Sequence, residues 1–197
     1  MLPLSLLYSF ISSLKARLQK SHKVDVPVIS VGNLTIGGGG KTPVTIALCK
    51  LLTTLGKKPA IVLRGYGRQS KDDFKVDVNK HKAAQVGDEA LLLAQYADTY
   101  VSADKLKSCQ QIKDADIIIQ DDGLQNYSVQ KDLSILVVDA KYAFGNNLLF
   151  PAGPMRESIK NAKNRIDLII LIGEADTIKK LQQIDKPVIN AKNIIVN

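Results

Sequence analysis

The chain contains no tryptophan, and aromatic residues make up only 5% of it. That scarcity argues against a base-stacking platform of the single-strand-binding kind, and no nucleic-acid partner is expected. Cysteine is almost as rare. Cys49 and Cys109 stand alone and far apart, so they offer neither metal-ligand spacing nor a disulfide framework, and a reducing compartment suits them. Histidine occurs only as His22 and His81, both away from every motif below and both expected at the surface. No Ser-His-Asp or Cys-His arrangement can be assembled from them. An apolar run long enough to cross a bilayer is also lacking. The stretch from Leu2 to Leu14 is broken by Pro3, Ser5, Ser9, Ser12 and Ser13, whereas a spanning helix needs ~20 apolar residues.

What is present is ordinary for a globular protein: 197 residues, 45% hydrophobic and 23% charged, enough for one α/β domain with a real core. The charge is less ordinary. The formal net charge is +8, a balance that suits polyanionic or phosphorylated partners. Lys15, Arg17, Lys20 and Lys23 carry half of it, and no acidic residue precedes Asp25. Those charges follow the apolar run rather than precede it, the reverse of a secretory signal. Residues 1–23 therefore read either as an amphipathic helix lying on an anionic membrane surface or as a helix packed on the domain's own core.

Beyond it, apolar runs of strand length alternate with helical periodicity. Val26–Val31, Lys58–Leu63, Thr99–Ser102, Ile117–Ile119, Leu133–Val138, Leu168–Ile172 and Val188–Ile189 read as strands. Thr42–Leu55, Glu89–Ala97, Lys105–Ile112 and Asp176–Gln183 read as helices, and the polar stretch from Arg64 to about Val86 as irregular. Alternation of this kind predicts an α/β fold: a mainly parallel sheet with helices on both faces, P-loop NTPase-like and preceded by the N-terminal helix.

The chemistry gathers where such folds place it, after the strands. Gly37-Gly38-Gly39-Gly40-Lys41-Thr42 joins the first strand to a helix. Glycines let successive backbone N–H groups turn toward an anion held at the helix N-terminus. Lys41 would reach the outer phosphates of a nucleotide, and Thr42 would hold Mg²⁺. The strict pattern has glycine at position 35, where this chain has Thr35. Asp121-Asp122-Gly123 follows an apolar strand, the position from which acids organise the metal in P-loop proteins. Gly87-Asp88-Glu89 precedes a helix and could by itself be an ordinary cap. Arg156 stands in a Gly-Pro-rich loop from which it could neutralise a transferring phosphoryl group. Arg64 and Arg68 flank a glycine-rich turn suited to phosphate oxygens. A small-molecule kinase, an ATP-dependent ligase and a non-catalytic nucleotide-binding module all remain compatible with the P-loop alone.

Taken in register, Gly32-Asn33-Leu34-Thr35-Ile36-Gly37-Gly38-Gly39-Gly40-Lys41-Thr42-Pro43, Arg64-Gly-Tyr-Gly-Arg68, Val86-Gly-Asp88-Glu89, Asp121-Asp122-Gly-Leu-Gln125 and Gly153-Pro-Met-Arg156-Glu157 resemble the tetraacyldisaccharide 4′-kinase family. The resemblance runs from the first residues to about Glu157. It implies ATP and Mg²⁺ as cofactors, a lipid A disaccharide precursor as acceptor, and peripheral attachment to the cytoplasmic face of a bacterial inner membrane through the basic helix. By position it implies Asp88, Lys41 and Arg156 as catalytic residues. Thr35, Ile36, Gly37 to Gly40, Lys41, Thr42 and Glu157 would contact the nucleotide, and Thr42, Glu89, Asp121 and Asp122 the metal. Two positions depart from the family pattern: Asn126 replaces a usual histidine, and Ser158 a common proline. The implied organisation is a membrane-associated helix at 1–23, a P-loop kinase domain at 24–160 and the start of an incomplete C-terminal lobe at 161–197, the family being longer than this chain. In the family that lobe supplies a histidine partner for the Asp88-type base, so a separately encoded lobe is a further expected partner.

Overall fold

The computed structural model describes residues 2–70, 72–173 and 181–192. Among these residues eight strands form one sheet in the order β3-β4-β2-β5-β1-β6-β7-β8. They are β1 Val28–Gly32, β2 Pro59–Leu63, β3 Phe74–Lys75, β4 Asp98–Val101, β5 Ile117–Asp121, β6 Leu133–Asp139, β7 Leu168–Ile172 and β8 Val188–Ala191. All pairings are parallel except that of the short edge strand β3 with β4. The helices are α1 Leu2–Leu18, α2 Lys41–Thr54, α3 Ala83–Val86, α4 Asp88–Leu93, α5 Lys105–Gln111 and α6 Ile159–Ala162.

The period-2 geometry of the strands divides their apolar residues between two cores. Val31, Ile61, Leu63, Ile119, Ile135 and Val137 face α2 and α4 on one side. On the other, Val28, Ala60, Val62 and Ile118 pack against α5 through Cys109 and Ile112, and Leu136, Val138, Ile169 and Leu171 pack toward α6. Burial on both faces is why these strands read as unbroken apolar runs rather than alternating ones. Truncating a fully buried side chain such as Ile61 costs about 2–5 kcal/mol.

The expected strands and principal helices are present with shifts of one or a few residues at their ends. The region read as irregular holds β3 and α3, a two-residue strand and a single turn, both too short for periodicity to register. The helix expected at Asp176–Gln183 falls mostly outside the described residues; its last three form a 3₁₀ turn with Leu181 buried. Residues expected to begin a further lobe contribute β7 and β8 to the same sheet as the P-loop strand.

α1 lies against the loop around Phe150 through its small and polar side. The Ser5 hydroxyl donates to the Leu149 carbonyl at 3.0 Å and accepts from the Ala152 N–H at 3.1 Å. Tyr8 meets Phe150 edge-on, with ring centroids 5.6 Å apart. Leu4, Leu7, Phe10, Ile11, Leu14 and Leu18 are exposed. Their i, i+3, i+4 spacing makes them one continuous apolar stripe. Among the described residues no helix is long and apolar enough to cross a membrane.

Candidate active site

Sheet register assembles the site. β1 lies between β5 and β6, and Val31 pairs with Asp121, so the P-loop leaves its strand beside the acidic pair. β2 and β4 end on the same edge, which brings the Arg64 loop and the start of α5 to that side as well.

The glycines serve the loop in an identifiable way. Gly40 caps α2 in the left-handed conformation, with φ 76°. A Cβ there would stand 2.2 Å from Ile172 Cδ1, so both backbone and space demand glycine. Lys41 is buried. Its ammonium donates to Asn33 Oδ1 at 3.3 Å and to the Gly37 carbonyl at 3.2 Å, and lies 3.7 Å from Asp122 Oδ1. Thr35 and Ile36 are tied to the Pro154–Arg156 segment. Ile36 N–H donates to the Pro154 carbonyl, and Arg156 N–H to the Leu34 carbonyl, both at 2.7 Å. That strap delivers the Arg156 guanidinium to Asp122 Oδ2 at 2.8 Å.

Thr42 donates its hydroxyl to Glu89 Oε1, and one helical turn later Thr45 donates to Asp121 Oδ1 at 3.3 Å. Asp121 is buried, and its Oδ2 has no hydrogen-bond partner. Burial, reinforced by the negative charge of Glu89, pushes the Asp121 carboxyl up to about 6. Asp122 behaves oppositely. Burial opposes its ionisation too, but the charges of Lys41 and Arg156 outweigh that and hold it below the usual carboxylate range. The two adjacent acids therefore differ in kind: Asp122 is salt-bridged, whereas Asp121 forms no salt bridge among the described residues and burial outweighs the charges of Lys105 and Lys41. An orphaned, buried carboxylate oxygen beside Thr42 and Glu89 fits a divalent cation. Among the described residues no three His, Cys, Asp or Glu side chains converge as a ready-made cage. Such an ion would take its remaining ligands from Thr42, water and nucleotide phosphates, the habit of Mg²⁺.

The remaining expected residues are placed as follows. Asp88 opens α4 and is exposed, with no side-chain partner among the described residues. The preceding Gly87, at φ 91°, would carry a Cβ 2.8 Å from the Tyr66 carbonyl oxygen, so the Arg64–Arg68 turn packs backbone to backbone on the Asp88 turn. Glu157 is buried away from the loop. It accepts from Gln125 Nε2 at 2.9 Å and from Arg165, and Gln125 also donates to the Asn33 carbonyl at 3.1 Å. Its link to the P-loop is thus indirect.

Three residues escaped the sequence reading. Asn33 holds Lys41, and Arg165 braces Glu157 while donating to the Leu124 carbonyl at 2.9 Å. Lys105 is buried and donates to the Asp121 and Asp122 carbonyls at 2.6 and 3.1 Å. A faint signal existed for Lys105. It occupies the first turn of α5, behind the Asp104 cap, where the helix dipole disfavours a cation.

A parallel sheet, a glycine loop running from its central strand into a helix, Lys-Thr at that helix start and acids on the adjacent strand define a P-loop NTPase-like α/β protein. The family model for tetraacyldisaccharide-1-P 4′-kinase matches residues 1–196, and the chain belongs to that family. Curated relatives named tetraacyldisaccharide 4′-kinase include one from Paramagnetospirillum magneticum, 43% identical over 87% of this chain and 54% of its own length. Another, from Bradyrhizobium diazoefficiens, is 39% identical over 96% of this chain and 58% of its own. The chain thus spans little more than half the length of these relatives. LpxK from Aquifex aeolicus, solved in complex with ATP, superposes with a TM-score of 0.79 at 33% identity, covering 96% of this chain and 62% of that one. Signal recognition particle 54 kDa protein from Aeropyrum pernix, in complex with GDP, reaches a TM-score of 0.53 at 15% identity and is alike in fold alone.

Proposed function

We propose that this chain carries the catalytic P-loop portion of an ATP-dependent kinase that phosphorylates the 4′-hydroxyl of tetraacyldisaccharide 1-phosphate, a lipid A precursor. The observation that carries the proposal is the convergence of Lys41, Thr42, Glu89, Asp121 and Arg156 at one sheet edge. Family membership and the ATP held by the Aquifex relative give that cluster its substrate class.

In this reading the nucleotide phosphates lie on the loop from Gly37 to Gly40, with Thr35 and Ile36 at its entrance. Lys41 exchanges its contacts with Asn33 and Gly37 for phosphate oxygens. Thr42, Glu89 and Asp121 would hold Mg²⁺, which when bound screens the phosphate charge and aligns the outer phosphates. Arg156, already paired with Asp122, stands ready to stabilise charge on the transferring group. Asp88 would accept the proton of the attacking hydroxyl, whose pKa is too high for it to ionise unaided. Glu157 acts through Gln125, holding the strand-to-loop turn rather than touching nucleotide. Transfer of this kind depends mainly on alignment and charge neutralisation.

The outward apolar stripe of α1 makes peripheral attachment to the cytoplasmic face of the inner membrane part of the same proposal, since a tetraacylated acceptor resides in a bilayer. Residues 1–23 would be the docking element and 24–160 the kinase core. The stretch from 161 would lead toward a C-terminal lobe, supplied in the same or a separate chain.

The test is phosphoryl transfer from ATP to tetraacyldisaccharide 1-phosphate with Mg²⁺, on this chain alone and with a C-terminal lobe added. It is paired with a titration of fluorescent ATP. Product in either condition supports the proposal. Folded protein that binds ATP but makes no product in both would refute it.

A further inference from the structure

Ser5 lies in the first turns of α1 and is buried. Alanine would fill the same space with a better helix propensity, and a buried hydroxyl has to be satisfied. The choice of serine therefore points to what its hydroxyl binds. Its two partners, the Leu149 carbonyl and the Ala152 N–H, are 144 and 147 residues away in the chain. They are the two ends of one tight turn, in which the Ala152 and Gly153 N–H groups donate to the Leu149 carbonyl at 2.9 and 3.0 Å. Ser5 thus clamps the turn to α1.

The turn is the near end of the strap that reaches the P-loop. Phe150 N–H donates to the Met155 carbonyl at 2.8 Å, and Met155 N–H to the Leu148 carbonyl at 3.1 Å. Met155 is buried in one cluster with Leu34 and Phe144, and it pairs with Thr35 in an antiparallel bridge. The far end is Arg156, whose N–H holds the Leu34 carbonyl and whose guanidinium holds Asp122. Beyond Ser5, each link as far as the Arg156 backbone is a main-chain hydrogen bond or a buried contact. A turn docked on α1 and a turn lifted from it are therefore two arrangements that Arg156 feels.

The other end of the device faces outward. Phe150 is 43% exposed and meets Tyr8 edge-on. Leu4 and Ile11 stand at i−4 and i+3 from Tyr8, so they are its neighbours on the helix surface, and both are exposed. Phe150 therefore adjoins the edge of the α1 stripe. A bilayer that covers the stripe also covers Phe150, but only while the turn stays docked. That difference in contact is what allows a membrane to bias the strap. The charge suits an anionic lipid surface: no acidic residue precedes Asp25, and Lys20 and Lys23, both exposed, follow the stripe.

We propose that Ser5 is a positioning residue for the phosphoryl site, and that α1 reports the bilayer to that site through it. The Ser5 clamp holds the strap that carries Arg156, and lipid cover over Phe150 strengthens the clamp. The inference rests on the kinase reading in one respect, that Arg156 meets the outer phosphate of ATP. Its consequence is a site best arranged for transfer where a lipid acceptor resides.

The experiment titrates fluorescent ATP and fluorescent ADP, with Mg²⁺, into wild type, Ser5→Ala, Ser5→Ala with Phe150→Ser, and Arg156→Ala. Each titration is run with and without phosphatidylglycerol vesicles. Arg156→Ala should weaken ATP and spare ADP. Ser5→Ala should do the same in solution, by about fivefold, the worth of one such hydrogen bond. Vesicles should restore most of that loss, and by linkage ATP should raise the vesicle affinity of Ser5→Ala by the same factor. Adding Phe150→Ser should abolish the restoration. A merely structural role for Ser5 would lower the melting temperature without moving the ATP-to-ADP ratio, and that result overturns the proposal. Equal weakening of ATP and ADP overturns it too, as does a loss that vesicles leave unrepaired. In each of these cases an effect of Arg156→Ala on ATP alone leaves the kinase reading standing. ATP affinity undiminished in Arg156→Ala overturns the role of Arg156 and the proposal together.

Discussion

Replacing Leu7, Ile11 and Leu14 with serine separates a membrane-docking helix from one that merely packs on its own domain. The three side chains are 56%, 57% and 44% exposed, so about half of each is available to a bilayer. Full burial of such a side chain is worth about 1.5–3 kcal/mol. Half of that for three residues is roughly 3 kcal/mol, or about a hundredfold in partitioning. Folding stability should change far less. The contacts that hold α1, Ser5 on Leu149 and Ala152 and Tyr8 on Phe150, lie on its other side. Lower helix propensity of serine costs a few tenths of a kcal/mol per position, so Tm should fall by no more than ~4 °C. The assay is sedimentation with anionic phosphatidylglycerol vesicles, alongside a thermal melt. A Tm loss of ten degrees or more, or unchanged vesicle affinity with an intact fold, would refute the assignment of this face to a membrane.

Three more outcomes are expected. Lys41→Ala should weaken fluorescent-ATP binding at least a hundredfold, because the buried ammonium is the cation supplied by the loop itself; undiminished affinity would place the nucleotide elsewhere. Gly40→Ala should cost about 2 kcal/mol or more in urea unfolding, since it combines a positive φ with a collision against Ile172. A loss below half a kcal/mol would mean the loop relaxes freely. Asp121→Asn tests the orphaned carboxylate. Its folded pKa is raised to about 6 from 3.8, so the folded state holds its proton more tightly than the unfolded one, and stability declines as pH rises through that window. Without divalent cations the variant should therefore gain on the wild type between pH 4 and 6 and keep the gain at pH 7. A wild-type-minus-variant difference that is flat with pH would contradict this.

Strand and helix positions were largely legible because each is a run of like residues whose period matches its geometry. Val28–Gly32, Lys41–Thr54 and Leu133–Asp139 are examples. β3 and α3 were not, since two or four residues carry no period and are held by β4 and α4. The P-loop and the acidic pair were readable as local strings. Lys105 and Arg165 were not, because nothing beside them in the chain marks their partners, which come from β5, the turn after it and Glu157.

By itself, the amino-acid sequence determined the glycine loop between the first strand and its helix, a string of adjacent residues that can be read without any distant partner. It also determined the family, through motifs kept in order and spacing. Tertiary structure alone decided the division of labour between Asp121 and Asp122, neighbours of identical chemistry. Packing leaves the first buried beside Glu89 without a salt bridge among the described residues and hands the second to Arg156 and Lys41. It also decided which way α1 faces. The helical pattern offers an apolar and a polar side, but only the hydrogen bonds of Ser5 to the Phe150 loop show that the polar side turns inward, leaving the apolar stripe exposed.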